Sequence, residues 1–256
     1  MSEVALPTSP VPGGAGQAFR TAIKTLCRSL GLKVQRFNPR YDETIWLVKL
    51  MQQNGIGLVF DVGASTGQFG VDLRREGYAG RIVSFEPLSR SHDRLSRLTA
   101  RDPDWQVAAR CAVGASPGTT RINIAGNGDS SSILGMLDRH RDGLPGVDYV
   151  DSEEATVTTL DAFIDESGLR CRDAALKLDT QGFEMEVLKG AERHIQDMKL
   201  IYTELSLQPV YEGAPGFLEL YQHLTQRGFT CVSLMPAFVD TVNYEVLQVN
   251  GAFLRK

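Results

Sequence analysis

Gly57-Leu58-Val59-Phe60-Asp61-Val62-Gly63-Ala64-Ser65-Thr66-Gly67-Gln68-Phe69-Gly70 is the stretch from which the rest of the chain can be read. Residues 58–62, interrupted only by Asp61, read as a short buried strand. A glycine-rich turn follows, and then a helical run over residues 68–76. Strand, tight turn and helix start form a ligand cradle. Gly63 and Gly67 let a ligand approach the backbone, and the helix start offers unpaired N–H groups. Asp61 falls at the carboxyl end of the strand, where open α/β sheets bind ligands. A second apolar strand, residues 81–85, ends in Glu86. An acid about 20 residues beyond such a turn is placed to accept hydrogen bonds from a ribose diol. The two elements together predict a nucleoside-bearing cofactor.

Outward from this centre the chain alternates strands and helices. Upstream, residues 1–16 are rich in proline and glycine and read as a disordered tail. Residues 17–53 read as a helical extension. Its first helix sets Phe19, Ile23, Leu26 and Leu30 against Arg20, Lys24 and Arg28, which suits packing on the main domain, a homodimer contact or a lid over the substrate. A second helix covers residues 42–53. The catalytic domain is expected over residues 54–256. After Glu86 come an arginine-rich helix (89–100), a strand (105–113) and a strand (119–125) that forms a hairpin with what precedes it. Residues 126–151 form a long polar stretch with a short helix at 132–139, and such a stretch inside a compact domain reads as a functional loop or lid. Strands at 155–160, 174–179, 199–205, 229–234 and 242–253 alternate with helices at 161–167, 184–194 and 215–228. The last two strands are expected to be antiparallel neighbours. The whole is α/β: a mostly parallel sheet with helices on both faces.

Composition narrows the function. The chain has 256 residues and a net charge of −4, which argues against a nucleic-acid binder working through a broadly basic face. No apolar run approaches the ~18 residues of an integral membrane segment. The first residues lack the apolar core of a signal peptide, so a cytoplasmic location is expected. Cys27, Cys111, Cys171 and Cys231 are scattered and show no metal-ligand spacing, so they read as reduced thiols.

The nucleoside can be chosen on physical grounds. A dinucleotide site wants Gly-x-Gly-x-x-Gly, and here the glycines fall as Gly63-x-x-x-Gly67. The short-chain dehydrogenase pattern would need glycine in place of Phe69 and a Tyr-x-x-x-Lys pair, and none of the seven tyrosines supplies one. No Gly-Lys-Ser/Thr phosphate loop occurs. Asp61, two residues before the first glycine, favours a cationic ligand and would repel a pyrophosphate. A sulfonium bearing an α-amino group fits, so S-adenosylmethionine is the expected cofactor. An NAD(P)-dependent oxidoreductase, or a methyltransferase-like binding protein without catalysis, is the rival class.

Phe60-Asp61-Val62-Gly63-Ala64-x-x-Gly67-x-Phe69 resembles the first motif of class I S-adenosylmethionine-dependent methyltransferases. Three further blocks narrow the resemblance to the FkbM family of O-methyltransferases. They are Ser84-Phe85-Glu86-Pro87, Val157-Thr158-Thr159-Leu160-Asp161, and the run from Leu176 through Asp179, Gly182, Glu184 and Lys189 to Ala191. The resemblance implies a Rossmann-like sheet of seven strands in the order 3-2-1-4-5-7-6, with strand 7 antiparallel. It implies that Asp61, Gly63 and the backbone around Ser65 and Gly67 hold the methionine part, with Ala64 and Phe69 in the same motif. Glu86, followed by Pro87, would hold the ribose, and Ala112 and Val113 would flank the adenine. It also implies a small-molecule acceptor: a hydroxyl of a sugar, glycolipid, polyketide or other secondary metabolite.

Methyl transfer to a hydroxyl is an in-line displacement helped by a general base. Asp179, ending the strand at 174–179, is the first candidate and could equally bind the cofactor's amino group. Glu204, ending the next strand, and His140, in the polar loop, are the others. Asp129, Ser131 and Ser132 are candidates for binding acceptor hydroxyls. Asp179 and Glu204 with Glu184 or Asp129 could offer oxygen ligands to a divalent ion. They form no compact acidic cluster in the sequence, and no metal is expected.

Overall fold

The computed structural model describes residues 14–31, 42–240 and 242–255. The chain divides into two compact units, residues 1–42 and 43–256. In the first, α1 (Gly14–Ser29) is a single amphipathic helix. It takes in residues 14–16 of the expected tail, and the rest of that tail lies outside the described residues.

The second unit opens on α2 (Glu43–Gln53), followed by β1 (Leu58–Val62), α3 (Gln68–Arg75), β2 (Arg81–Phe85) and α4 (Ser89–Thr99). Next come β3 (Trp105–Val107), β4 (Ala112–Val113), β5 (Gly118–Ala125), α5 (Asp138–Gly143) and β6 (Tyr149–Thr158). The chain ends with α6 (Leu160–Ser167), β7 (Ala174–Leu178), α7 (Glu184–Lys189), β8 (Leu200–Ser206), α8 (Phe217–Gln226), β9 (Thr230–Asp240) and β10 (Glu245–Leu254).

Seven strands form the main sheet in the order β3-β2-β1-β7-β8-β10-β9, and β10 is antiparallel to both neighbours. Numbered along the sheet's own strands, this is the expected 3-2-1-4-5-7-6. Side chains alternate between the faces of a strand. Leu58, Phe60 and Val62 therefore enter one core with Leu160 and Ile164 of α6, Val187 and Leu188 of α7, and Leu220 and Leu224 of α8. Val59 enters the other, with Leu47, Val48 and Met51 of α2, Leu73 of α3 and Leu95 of α4. Helices thus cover both faces. Since α2 is part of this packing and the compact unit begins at residue 43, α2 belongs to the sheet domain and not to a helical extension ending at residue 53.

The structure corrects several boundaries. The single strand expected over residues 105–113 is two strands in two sheets: β3 pairs with β2, and β4 joins a three-stranded sheet of order β4-β6-β5. β5 pairs antiparallel with β6, which follows it, and not with what precedes it. β6 begins at Tyr149, inside the expected polar loop, because Tyr149 to Glu154 find partners along β5 whatever their polarity. Residues 132–137 are not helical, and α5 starts only at Asp138. β9 and β10 are the expected antiparallel pair, with β9 running on to Asp240.

Glycine is required at two motif positions. Gly63 has φ +77°, and a Cβ there would stand 1.9 Å from the Asp179 carbonyl oxygen. A Cβ on Gly190 would stand 2.0 Å from the Gly114 carbonyl oxygen. The Gly190-Ala191 pair is therefore a packing signature, closing α7 against the β4 end.

Candidate active site

A cavity of about 300 Å³ opens at the carboxyl ends of β1, β2 and β7. Its floor is the turn after β1: Gly63, Ala64, Ser65, Gln68 and Phe69. Glu86 and Pro87 line it from β2, and Ala112 and Val113 from β4. Asp179, Thr180 and Gln181 line it from β7, and Asp129, Ser131 and Ser132 from the loop after β5. The topology explains the convergence. β1 lies between β2 and β7 in parallel register, so three strand ends release their chains at one level of the sheet.

Glu86 is 5% exposed. Its Oε2 accepts from the Ser65 N–H at 2.8 Å, and its Oε1 from the Leu88 N–H at 2.9 Å. Burial pushes its carboxyl up to about 7, against the pull of these two N–H donors. Each oxygen keeps lone-pair capacity for one further donor from the cavity. Ser65 holds the left-handed backbone at φ 47°, which aims its N–H at Glu86, while its Oγ donates to Asp129 Oδ1 at 3.1 Å. The loop after β5 is thereby tied to the turn after β1.

Asp179 is anchored from one side. Gln181 Nε2 donates to its Oδ1 at 2.6 Å. Gln181 is itself held in left-handed backbone at φ 54°. The buried Tyr211 hydroxyl donates to its Oε1 at 2.6 Å, and the Ser132 hydroxyl to its carbonyl at 2.7 Å. The Asp179 side chain stays 45% exposed, with Oδ2 3.8 Å from Lys177 Nζ.

The expected site residues are not all brought together. Asp61 does not line the cavity. It is fully buried, pairing through Oδ1 with Lys177 Nζ at 2.9 Å and accepting from the Ser84 hydroxyl at 3.1 Å. Ser84, Asp61 and Lys177 are register partners on β2, β1 and β7, so three polar side chains form one row inside the sheet. Gly67 also lies off the cavity and packs against Leu95 and Leu98 of α4. Glu204 lies off the cavity too, partly enclosed, accepting from Gln248 Nε2 at 2.8 Å. Burial, then the Asp179 and Glu184 charges, raise its carboxyl well above the usual range.

His140 is misplaced for a base. It opens no route to the cavity and is buried edge-on to Tyr211 at 5.1 Å and beside Phe238 at 5.2 Å. Burial pushes its imidazole down to about 4, so it is neutral at physiological pH. Glu184 is a clamp for the turn after β7, accepting from the Thr180 N–H at 2.9 Å and the Gly182 N–H at 3.1 Å. Ser131 and Ser132 line the cavity, but their hydroxyls donate to the carbonyls of Gly128 and Gln181. Among the described residues no group of three His, Cys, Asp or Glu side chains could hold a metal ion, no helix is long and apolar enough to cross a membrane, and all four cysteines are free.

Lys177 was missed from sequence, although a lone lysine inside the apolar strand Ala174–Leu178 was the signal. Its Nζ donates to the Gly63 carbonyl at 2.8 Å. Burial alone would lower its ammonium, and the Asp61 and Asp179 carboxylates outweigh this and hold it above the usual lysine range. Lys177→Met is expected to destabilise the fold by about 3–5 kcal/mol, because it leaves Asp61 buried without its counter-charge. Denaturant unfolding measures this, and adding Asp61→Asn should recover part of the loss. An unchanged midpoint in the single variant would show that the pair is not what stabilises this row.

A parallel seven-strand sheet with one antiparallel strand, and a cavity at the end of its first strands, defines the Rossmann-like class I methyltransferase fold. Residues 61–231 match the family described as the methyltransferase FkbM domain, and the chain belongs to that family of methyltransferases. A search of curated proteins finds no match. Among solved structures, the O-methyltransferase from Bacillus cereus in complex with SAH aligns with TM-score 0.51 at 11% identity, over 96% of this chain and 93% of that one. A methyltransferase from Geobacter sulfurreducens aligns with TM-score 0.44 at 14% identity, over 98% and 92% of the two chains. Magnesium protoporphyrin IX methyltransferase from Synechocystis, with bound SAM, aligns with TM-score 0.42 at 9% identity, over 97% and 87%. The first of these likenesses supports the fold.

Proposed function

We propose that this methyltransferase uses S-adenosylmethionine to methylate a hydroxyl of a small-molecule acceptor, a sugar, glycolipid or other secondary metabolite. The observation that carries the reading is the pairing of Glu86 and Asp179 across one cavity, each held by its own hydrogen bonds.

The residues present fit the cofactor. Glu86 has lone-pair capacity for a ribose diol. Ala112, Val113, Ile122 and Phe183 offer apolar walls for a base. At Gly63 the backbone passes so close to Asp179 that no side chain intrudes. The Lys177 ammonium is spent on Asp61 and the Gly63 carbonyl, so Asp61 acts by neutralising Lys177 rather than by touching the ligand. The remaining carboxylates at the cavity, Asp129 and Asp179, suit a sulfonium and its amino group better than a pyrophosphate.

S-adenosylmethionine, when bound, supplies a methyl group open to in-line displacement by an alcohol oxygen. Asp179 would take the proton of the acceptor hydroxyl as that oxygen is methylated. Gln181, fixed by Tyr211, orients Asp179 so that Oδ2 is the oxygen left for the acceptor. The tie between Ser65 and Asp129 narrows the mouth and helps exclude water.

The test is a calorimetric titration with S-adenosylhomocysteine beside a reduced nicotinamide dinucleotide, followed by an acceptor screen over sugar hydroxyls with labelled methyl donor. Micromolar binding of the first compound alone is expected. Binding only the dinucleotide would sink the reading. Methylation confined to nitrogen or carbon acceptors would retain the cofactor and overturn the hydroxyl.

A further inference from the structure

The helix α1, in the first unit, has a definite chemical character of its own. At about 100° per residue, Ala15, Phe19, Ala22, Ile23, Leu26 and Leu30 fall on one stripe. Arg20, Lys24 and Arg28 fall on the opposite side. Among the described residues of its own unit nothing covers the apolar stripe: Phe19 is 68% exposed, Leu26 63% and Leu30 68%. Lys24 and Arg28 are exposed as well.

The charge around this helix is one-sided. Between Glu3 and Asp42 the chain carries six basic residues, Arg20, Lys24, Arg28, Lys33, Arg36 and Arg40, and no acid. The whole chain is net −4, so the positive charge is concentrated in this stretch. A helix with an apolar face, a cationic face and modest overall hydrophobicity lies in a membrane interface rather than across it. Its apolar side chains enter the acyl boundary while lysine and arginine stems reach up to the headgroups. α1 has 16 residues and is neither long nor apolar enough to span a bilayer.

We propose that α1 is a surface anchor that docks on anionic lipid headgroups and holds the methyltransferase at a membrane face. Charge complementarity selects this occupant. Pairing with a second copy would cover the apolar stripe but would leave the cationic face of each helix turned outward, with no acid on either helix to meet it. An anionic lipid surface satisfies both faces at once. The anchoring is independent of which acceptor is methylated.

The experiment is co-sedimentation of the full chain with vesicles of phosphatidylcholine alone, or of phosphatidylcholine with roughly a third phosphatidylglycerol. At least about tenfold stronger association with the anionic vesicles is expected. It should weaken at about 1 M salt, where the screening length falls to about 3 Å. Two variants separate the faces: R20E/K24E/R28E removes the cationic one, and F19S/L26S the apolar one. Both should lose the association while keeping the unfolding midpoint and S-adenosylhomocysteine binding of the parent. No association with anionic vesicles would overturn the proposal, as would equal association by the charge-reversed variant. A parent dimer that F19S/L26S converts to a monomer, with no vesicle binding by either, would overturn it in favour of a subunit contact.

Discussion

Asp179→Ala is expected to lower turnover by about 10²- to 10⁴-fold, the usual contribution of a positioned general base. The fold should hardly notice, because the side chain is 45% exposed and the buried Lys177 keeps its closer partner, Asp61. Asp179→Asn is the sharper variant. It keeps an oxygen for Gln181 Nε2 but cannot accept the hydroxyl proton. If Asp179 is the base, Asn should be nearly as inactive as Ala while the dissociation constant for S-adenosylhomocysteine stays within about threefold, a change worth well under 1.4 kcal/mol. If Asp179 instead holds the cofactor's amino group, affinity and turnover should fall together. Gln181→Ala should then tell whether orientation matters. Losing the anchor should lower turnover less than losing the carboxylate, with cofactor affinity preserved.

The second large effect concerns Glu86. Glu86→Ala is expected to weaken S-adenosylhomocysteine binding by about 3 kcal/mol, or roughly 10²-fold, since hydrogen bonds to a charged group are worth about 1.5–3 kcal/mol each. The pH dependence carries a sign that can be checked. Burial pushes the Glu86 carboxyl up to about 7, so the group ionises only as pH passes that value. Cofactor affinity should therefore rise between pH 6 and 8, and the rise should vanish in Glu86→Ala. Stability should run the other way. The folded state holds this proton more tightly than the unfolded chain. Its contribution is fully present below the usual value of 4.5 and is lost as pH rises through about 7, a change of roughly 3 kcal/mol for this group. Unfolding curves of parent and variant from pH 4.5 to 8 should diverge by about that amount. Parallel curves would mean that Glu86 titrates as an ordinary surface acid, and the reading of a carboxylate kept for ribose would lose its support.

These two residues were legible because each ends a strand. The pattern of apolar strand, glycine turn and acid depends on local sequence, and local sequence determines where a parallel strand stops. The same logic made the helices on both faces readable, since the apolar runs of β1 and β7 and the periodicity of α8 are properties of each segment alone, whereas the seven-strand order came with the resemblance to the methyltransferase family. Gly63 and Gly190 stand where only glycine fits, since a Cβ would meet a backbone oxygen at 1.9 and 2.0 Å.

What lay beyond the sequence were the relations between segments. Asp61 reads as a ligand-facing acid until register sets it beside Lys177 on the neighbouring strand. His140 reads as a free loop base until tertiary packing buries it against Tyr211 and Phe238. Tyr211 carries no sequence mark, yet it holds Gln181 and, through it, Asp179. Local propensity determined the elements and the two carboxylates at their ends. Only the folded sheet decided which polar groups face the cavity, because a group's desolvation and its hydrogen-bond partners are set by chains distant in sequence.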